Sequence, residues 1–178
     1  MKSLKPNTAA GPDHLSPRVL KELSDHLADP LTWIFKKSLN EEHVPKDWRH
    51  ALVAPIYKNK GSRSDPDNYR AISLTSVCCK MLEHIECIHI MKHIDGNDLL
   101  YPLQHGFRKQ RSCETQLNEL VHDLAKNMGE GHQTHVIVHD FAQAFDKVGH
   151  ERLLQQINCY GVTGQTNNWI RSHLLNRN

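Results

Sequence analysis

Asp140 stands where an apolar run ends. Val136, Ile137 and Val138 are three β-branched residues in a row and predict a short strand buried on both faces. That strand should stop near Asp140, and Phe141 to Lys147 should turn toward a helix starting near His150. A carboxylate held at a strand end and still open to solvent suits a divalent-metal ligand, because hard cations take oxygen donors and keep several waters. Five residues on, Phe145 is an aromatic able to wall a neighbouring pocket. The competing reading is that Asp140 only ends the strand and caps the next segment.

A second group of ligand-type residues, His84, Cys87, His89 and His93, invites a metal reading, but their spacing matches no zinc pattern. With 14 histidines in the chain, such coincidences are expected. The cysteines Cys78, Cys79, Cys87, Cys113 and Cys159 are odd in number and lack paired spacing. They read as free thiols of a reducing compartment, used for packing.

The elements that must position these residues are mostly helical. Ser16 before Pro17 is a helix start, with Val19, Leu20, Leu23 and Leu27 on one face. Asp29 before Pro30 predicts the end of that helix and the start of another, which presents Leu31, Ile34, Phe35 and Leu39. ALVAPIY reads as a strand, demoted to an edge or bulge by Pro55, and residues 61–68 as a turn or loop. From Thr75 to about Ile94 the positions Met81, Ile85, Ile88 and Met91 keep helical spacing. Ser112 caps a further helix with Leu117, Leu120, Val121 and Leu124 inward and Gly129 just past its end. Two final helices, near 151–160 and 165–175, are divided by Gly161 and Gly164.

A chain of 178 residues is about one domain, and 38% hydrophobic with 24% charged residues is globular composition. No apolar run approaches the roughly 20 residues of a membrane helix, and the polar start MKSLKPNTAAG is neither a signal nor a transit peptide. An intracellular protein with no membrane partner is expected. The net charge is only +2, yet nine Lys or Arg face five Asp or Glu between Lys36 and Lys80. Charge alone leaves that stretch a solvated basic face.

The spacing of Asp140, Phe145 and Asp146, followed by KVGHERLL and YGV, resembles the first catalytic motif of reverse transcriptases from non-LTR (LINE-like) retrotransposons. AAGPDHLSPRVLK, WRHALVAPIYKNKG, NYRAISLTSVCCKMLEH and QHGFRKQRSCETQL precede it in the family's order, so the resemblance covers nearly the whole chain. It implies an α-rich α/β fold, part of a right-hand polymerase: residues 1–134 as a fingers-like region and 135–178 as the start of the palm. It implies RNA-directed DNA polymerisation by two-metal nucleotidyl transfer, with Mg2+ as cofactor and an RNA template, a DNA primer and a dNTP as partners. Asp140 would be the catalytic metal ligand, Phe141 would lend a backbone carbonyl, and Phe145 would lie under the nucleotide sugar and exclude a 2′ hydroxyl. Arg70, Arg108 and Arg111 would face template and triphosphate, and Gly106 would permit close backbone approach.

Departures accompany the resemblance. Ala71 replaces the usual Pro, His139 an apolar residue, Ala142 and Gln143 a frequent Ser-Lys, and Gly149 a position often Pro or Ser. A histidine in a buried strand would have to find hydrogen bonds. Neither a Gln-Gly nor a Tyr-x-Asp-Asp motif occurs, so the 178 residues by themselves are expected to lack polymerase activity. The alternative is a catalytically dead remnant with at most non-specific nucleic-acid binding.

Overall fold

The computed structural model describes residues 1–141 and 143–175; Ala142, one of the departures above, lies outside them. In chain order the elements are α1 (Pro17–Glu22), α2 (Ser24–Asn40), α3 (Lys46–Arg49), β1 (Leu52–Tyr57), β2 (Tyr69–Leu74), α4 (Val77–Gly96), α5 (Cys113–Gly129), α6 (His150–Cys159) and α7 (Gly164–Leu174). Helices dominate, and one two-stranded antiparallel sheet, with a short 3-10 turn at Pro66–Asn68 between its strands, completes the regular structure of the described residues. The chain divides into two units, residues 1–92 with 149–178, and residues 93–148.

The first unit holds the core. Local chemistry starts α1 as expected: Ser16 Oγ accepts from the Arg18 amide at 3.2 Å and Pro17 occupies the first turn, where its missing N–H costs nothing. The predicted break at Pro30 does not occur. α2 runs through Pro30, and the helices instead part at Leu23. One lost helical hydrogen bond and a ring clash cost about 3 kcal/mol. Leu27, Leu31, Ile34, Phe35 and Leu39 offset that by packing from the same helix against the buried cluster.

That cluster joins Leu20, Val44, Trp48, Val77, Cys78, Cys79, Leu82 and Trp169. Trp169 of α7 is 2% exposed, and its indole N–H donates to Ser38 Oγ of α2 at 3.0 Å. Ser38 Oγ in turn donates to the His43 carbonyl at 2.6 Å, and the Val44 amide donates to Ser172 Oγ at 3.1 Å. Asn167, also buried, donates to the carbonyls of Leu154 and Val162 and so fixes the turn between α6 and α7. At that turn Gly161 takes a left-handed φ of 85°, a conformation glycine adopts without penalty. Gly11 packs so closely on Thr75 that a Cβ there would lie 2.5 Å from its carbonyl oxygen.

β1 and β2 pair in register from Leu52 with Leu74 to Tyr57 with Tyr69. Both are edge strands, which is where a proline belongs, and Pro55 sits opposite Ala71. In α4 the helical spacing read from Met81, Ile85, Ile88 and Met91 holds, but the buried residues are Val77, Cys78, Cys79 and Leu82, while Ile85 and Ile88 are exposed. The helix continues past the core that its first turns enter.

The second unit differs in kind. Among its described residues His105 is the only buried side chain. α5 starts on the Ser112 cap, as a capping box with Thr115, yet Leu117, Leu120 and Val121 are exposed rather than inward. The strand expected at 136–140 is not formed. Val136, Ile137 and Val138 are 51%, 77% and 85% exposed and irregular. A strand exists only as part of a ladder, and no described segment pairs with this one. His139 is consequently exposed, and the burial problem anticipated for its imidazole does not arise.

Both the packing and the titration of the first unit can be tested. Trp169→Ala removes the largest buried side chain and leaves Ser38 without its donor, so urea unfolding followed by circular dichroism should show a loss of about 3–5 kcal/mol. The second expectation concerns alkali. Burial, with a smaller contribution from the Asp13 carboxylate, pushes the Cys78 thiol from an ordinary 9.0 up to about 11. The folded thiol holds its proton where the unfolded one gives it up, so this contribution is intact below about pH 9 and lost as pH rises toward 11. The fall in stability between pH 8.5 and 10.5 should be shallower in Cys78→Ala than in the parent.

Candidate functional site

Asp140, Phe141 and Phe145 lie in the second unit, together with Arg108 and Arg111; Arg70 lies in the first. The residues 133–141 approach Asp140 as exposed irregular chain, and Asp140 itself is exposed. After Phe141 the backbone turns on Gln143, whose carbonyl accepts from the amides of Asp146 and Lys147, both at 3.1 Å. Phe145 is carried on this turn. Its ring meets Phe107 edge to face, with centroids 6.4 Å apart, although both rings are more than four-fifths exposed. Apolar rings left this open form a surface that a flat or apolar partner would cover.

Phe107 belongs to the loop that presents the arginines, and His105 anchors that loop. The His105 ring shares hydrogen bonds with Thr115 Oγ1 at 2.8 Å and Glu119 Oε2 at 2.6 Å, so both ring nitrogens are tied to α5. Arg111 Nη1 stands 3.3 Å from His105 Nε2. Arg108 donates from Nη1 to the Tyr101 carbonyl at 3.3 Å. Both arginines are half-buried; Arg108 spends one nitrogen on the loop and keeps the remaining donors of its guanidinium fork, while Arg111 stands against the His105 ring. Gly106, expected to allow close approach, has open space around it: a Cβ there meets nothing within 4 Å.

Four non-glycine residues in this unit hold left-handed backbone: Asp98 at φ 50°, Phe107 at 61°, Gln110 at 60° and Gln143 at 56°. Each costs on the order of 1 kcal/mol or more, and such strain gathers where side chains are held for a purpose. Phe107 and Gln110 each precede one of the arginines, Gln143 sits between Phe141 and Phe145, and Asp98 lies in the turn that follows α4. Sequence reading missed both Phe107 and His105. The QHGFR motif contained them, but only Arg108 and Gly106 were singled out from it.

Arg70 is exposed on β2 opposite Ile56, and its side chain makes no hydrogen bond or ion pair among the described residues. It stands next to Tyr69, whose ring packs on Tyr57 at 5.5 Å. As a metal site, Asp140 offers one hard oxygen donor. No cluster of three ligand-type residues includes it among the described residues, and the one such cluster, Cys79, Glu83 and His173, lies in the first unit. His84, Cys87, His89 and His93 form no such cluster among the described residues.

A family model described as reverse transcriptase (RNA-dependent DNA polymerase) matches residues 56–178, which include Arg70, Arg108, Arg111, Asp140 and Phe145. The chain is 27% identical over 157 residues to the probable RNA-directed DNA polymerase from transposon BS of Drosophila melanogaster, covering 88% of this chain and 17% of that protein. It is 30% identical over 146 residues to the RNA-directed DNA polymerase from mobile element jockey of the same fly, covering 82% and 16%. A retrovirus-related Pol polyprotein from type-1 retrotransposable element R2 of Popillia japonica is 28% identical over 134 residues, covering 74% and 18%. The chain thus spans less than a fifth of the length of these relatives. Its 178 residues belong to the reverse transcriptase (RNA-dependent DNA polymerase) family and make up part of such a domain of the non-LTR retrotransposon kind.

Proposed function

We propose that this segment supplies the template- and nucleotide-facing half of a reverse transcriptase site: one metal-ligating carboxylate, a sugar-contacting aromatic and a set of phosphate-binding arginines. In this reading residues 1–134 are the fingers side of a right-hand polymerase and residues 135–178 open its palm. The observation that carries it is the joint placement of Asp140, Phe145, Arg108 and Arg111 in one unit whose strained loops leave them open to a ligand. RNA template, DNA primer and dNTP are the partners this assigns, in a protein as long as the relatives.

Asp140 fits a hard divalent cation, Mg2+ by preference, through its exposed carboxylate, with the Phe141 carbonyl as a second oxygen. One carboxylate does not complete a two-metal centre, and further acids must come from outside the described residues. The ions, when bound, supply charge neutralisation at the transferring phosphate and lower the pKa of the attacking hydroxyl. The chain's own residues then bind and orient. Arg108 and Arg111 neutralise phosphate oxygens with the free donors of their guanidinium forks, and Arg70, in the first unit, offers a phosphate contact of its own. Phe145, braced by Phe107, presents an apolar face to the sugar, so that a 2′ hydroxyl would meet a ring edge in place of water. His105 acts by position: tied to α5 through Thr115 and Glu119, it fixes the loop on which Arg108 and Arg111 are carried.

This arrangement makes RNA binding electrostatic and indifferent to sequence, because phosphate contacts carry no base information. In fluorescence titrations of labelled single-stranded RNA, the logarithm of affinity should fall linearly with the logarithm of salt. Changing Arg70, Arg108 and Arg111 together to Ala should weaken binding at low salt and reduce that slope by about 2, at roughly 0.7 per phosphate contact. A folded triple variant with unchanged affinity and slope would remove these arginines from the nucleic-acid surface.

A further inference from the structure

Cys79, Glu83 and His173 bring one thiol, one carboxylate and one imidazole to a single point between α4 and α7. Their ligand atoms all lie within 4.8 Å of one another. Cys79 and Glu83 are one helical turn apart, so both side chains leave α4 on the same face, with Sγ 3.1 Å from Glu83 Oε1. His173 arrives from α7 with Nε2 3.4 Å from the same carboxylate oxygen. The placement is rigid. Cys79 is fully buried at the core, and the His173 ring is stacked on Trp169, with centroids 5.3 Å apart and planes inclined by 13°. Trp169 is itself fixed by its bond to Ser38, and the adjacent Ser172 accepts from the Val44 amide. Neither helix can withdraw its ligand without opening the core.

We propose that these three side chains form a binding site for a divalent ion of borderline softness, Zn2+ by class, separate from the carboxylate chemistry assigned to Asp140. Thiolate and imidazole together select zinc-like ions over Mg2+ or Ca2+, which favour all-oxygen shells. The two sides that meet at Glu83 Oε1, 3.1 and 3.4 Å long, are close to the ligand separation of a tetrahedral ion with Zn–S near about 2.3 Å and Zn–N and Zn–O near about 2.0–2.2 Å. Three protein ligands leave a fourth position for water, and the half-buried Glu83 marks the side from which it enters. On binding, the Cys79 S–H bond breaks, its proton passes to solvent and an S–metal bond forms, so each ion taken up releases a proton. No oxidant or reductant is involved. The consequence is structural: the ion ties the last described helix to α4 and adds its binding energy to the core that Trp169 closes.

The test uses the full chain with the exposed cysteines Cys87, Cys113 and Cys159 changed to Ser, so that adventitious thiols do not contribute. Co2+ is the optical probe, because a thiolate ligand gives it an intense sulfur-to-metal charge-transfer band and tetrahedral geometry gives strong visible absorption. Titration should show one equivalent bound, displacement by Zn2+, release of about one proton per ion and a rise in melting temperature that a chelator reverses. Cys79→Ser should abolish the charge-transfer band, and His173→Ala should weaken binding at least about tenfold while circular dichroism stays that of the parent. Cys78→Ser, which alters the neighbouring thiol outside the triangle, should leave the band intact. Absence of a charge-transfer band in the folded parent protein would overturn the site, as would a band that survives in Cys79→Ser. Should both ligand variants fail to fold, the parent protein still decides, through its stoichiometry, proton count and response to Mg2+, which must not compete.

Discussion

The docking of Trp169 into the helical core is the interaction that holds the first unit together. Its indole N–H reaches Ser38 across a sequence separation of 131 residues. Through Ser38, His43 and Ser172 the contact spreads into a short chain of hydrogen bonds that satisfies buried polar groups on α2, on the turn before α3 and on α7. Burial of a ring this large contributes several kcal/mol only when its polar end is paired, and here it is. The same docking sets where Asn167 and His173 sit, and hence the α6–α7 turn and the approach of α7 to α4.

The second unit shows the opposite regime. With His105 as its one buried side chain among the described residues, it has little apolar burial to offset the entropy of ordering its loops. What orders it is polar: the Ser112 capping box, the bonds from His105 to α5 and the bond from Arg108 to the Tyr101 carbonyl. Exposed apolar groups remain on α5, at 136–138 and on the Phe107 and Phe145 rings. Exposed apolar groups of this kind mark a surface that a partner covers, and in the function proposed above nucleic acid is that partner. Affinity for such partners then carries the ordering of the loops as a cost.

How much of this was legible in the sequence depends on how local the determining chemistry is. The starts of α1 and α5 were readable because Ser16-Pro17 and Ser112 act within three residues of themselves, and Gly161 with Gly164 marked the α6–α7 turn for the same reason. Pro30 misled because its local penalty is outweighed by core contacts made elsewhere along α2. Val136 to Val138 were correctly apolar, but apolarity names no partner, and without a ladder the run stays irregular. In α4 the helical spacing was right, whereas which face is buried depends on where α2 and α7 come to rest. The triangle of Cys79, Glu83 and His173 was half visible as a one-turn spacing, and its third member could be found only in three dimensions. The family was legible throughout, since ordered motifs survive where individual contacts cannot be inferred.

In the function proposed above, Asp140 ties this segment to phosphoryl transfer, because a carboxylate ligand to a metal cannot be replaced by an amide without losing charge at the reacting phosphate. The measurement that bears on it most directly is primer extension on an RNA template by the protein continued to the length of its relatives, with Mg2+ and deoxynucleotides. Template-dependent extension should fall by several orders of magnitude in Asp140→Asn while primer–template binding is retained. Extension undiminished by that change would contradict the role given to Asp140.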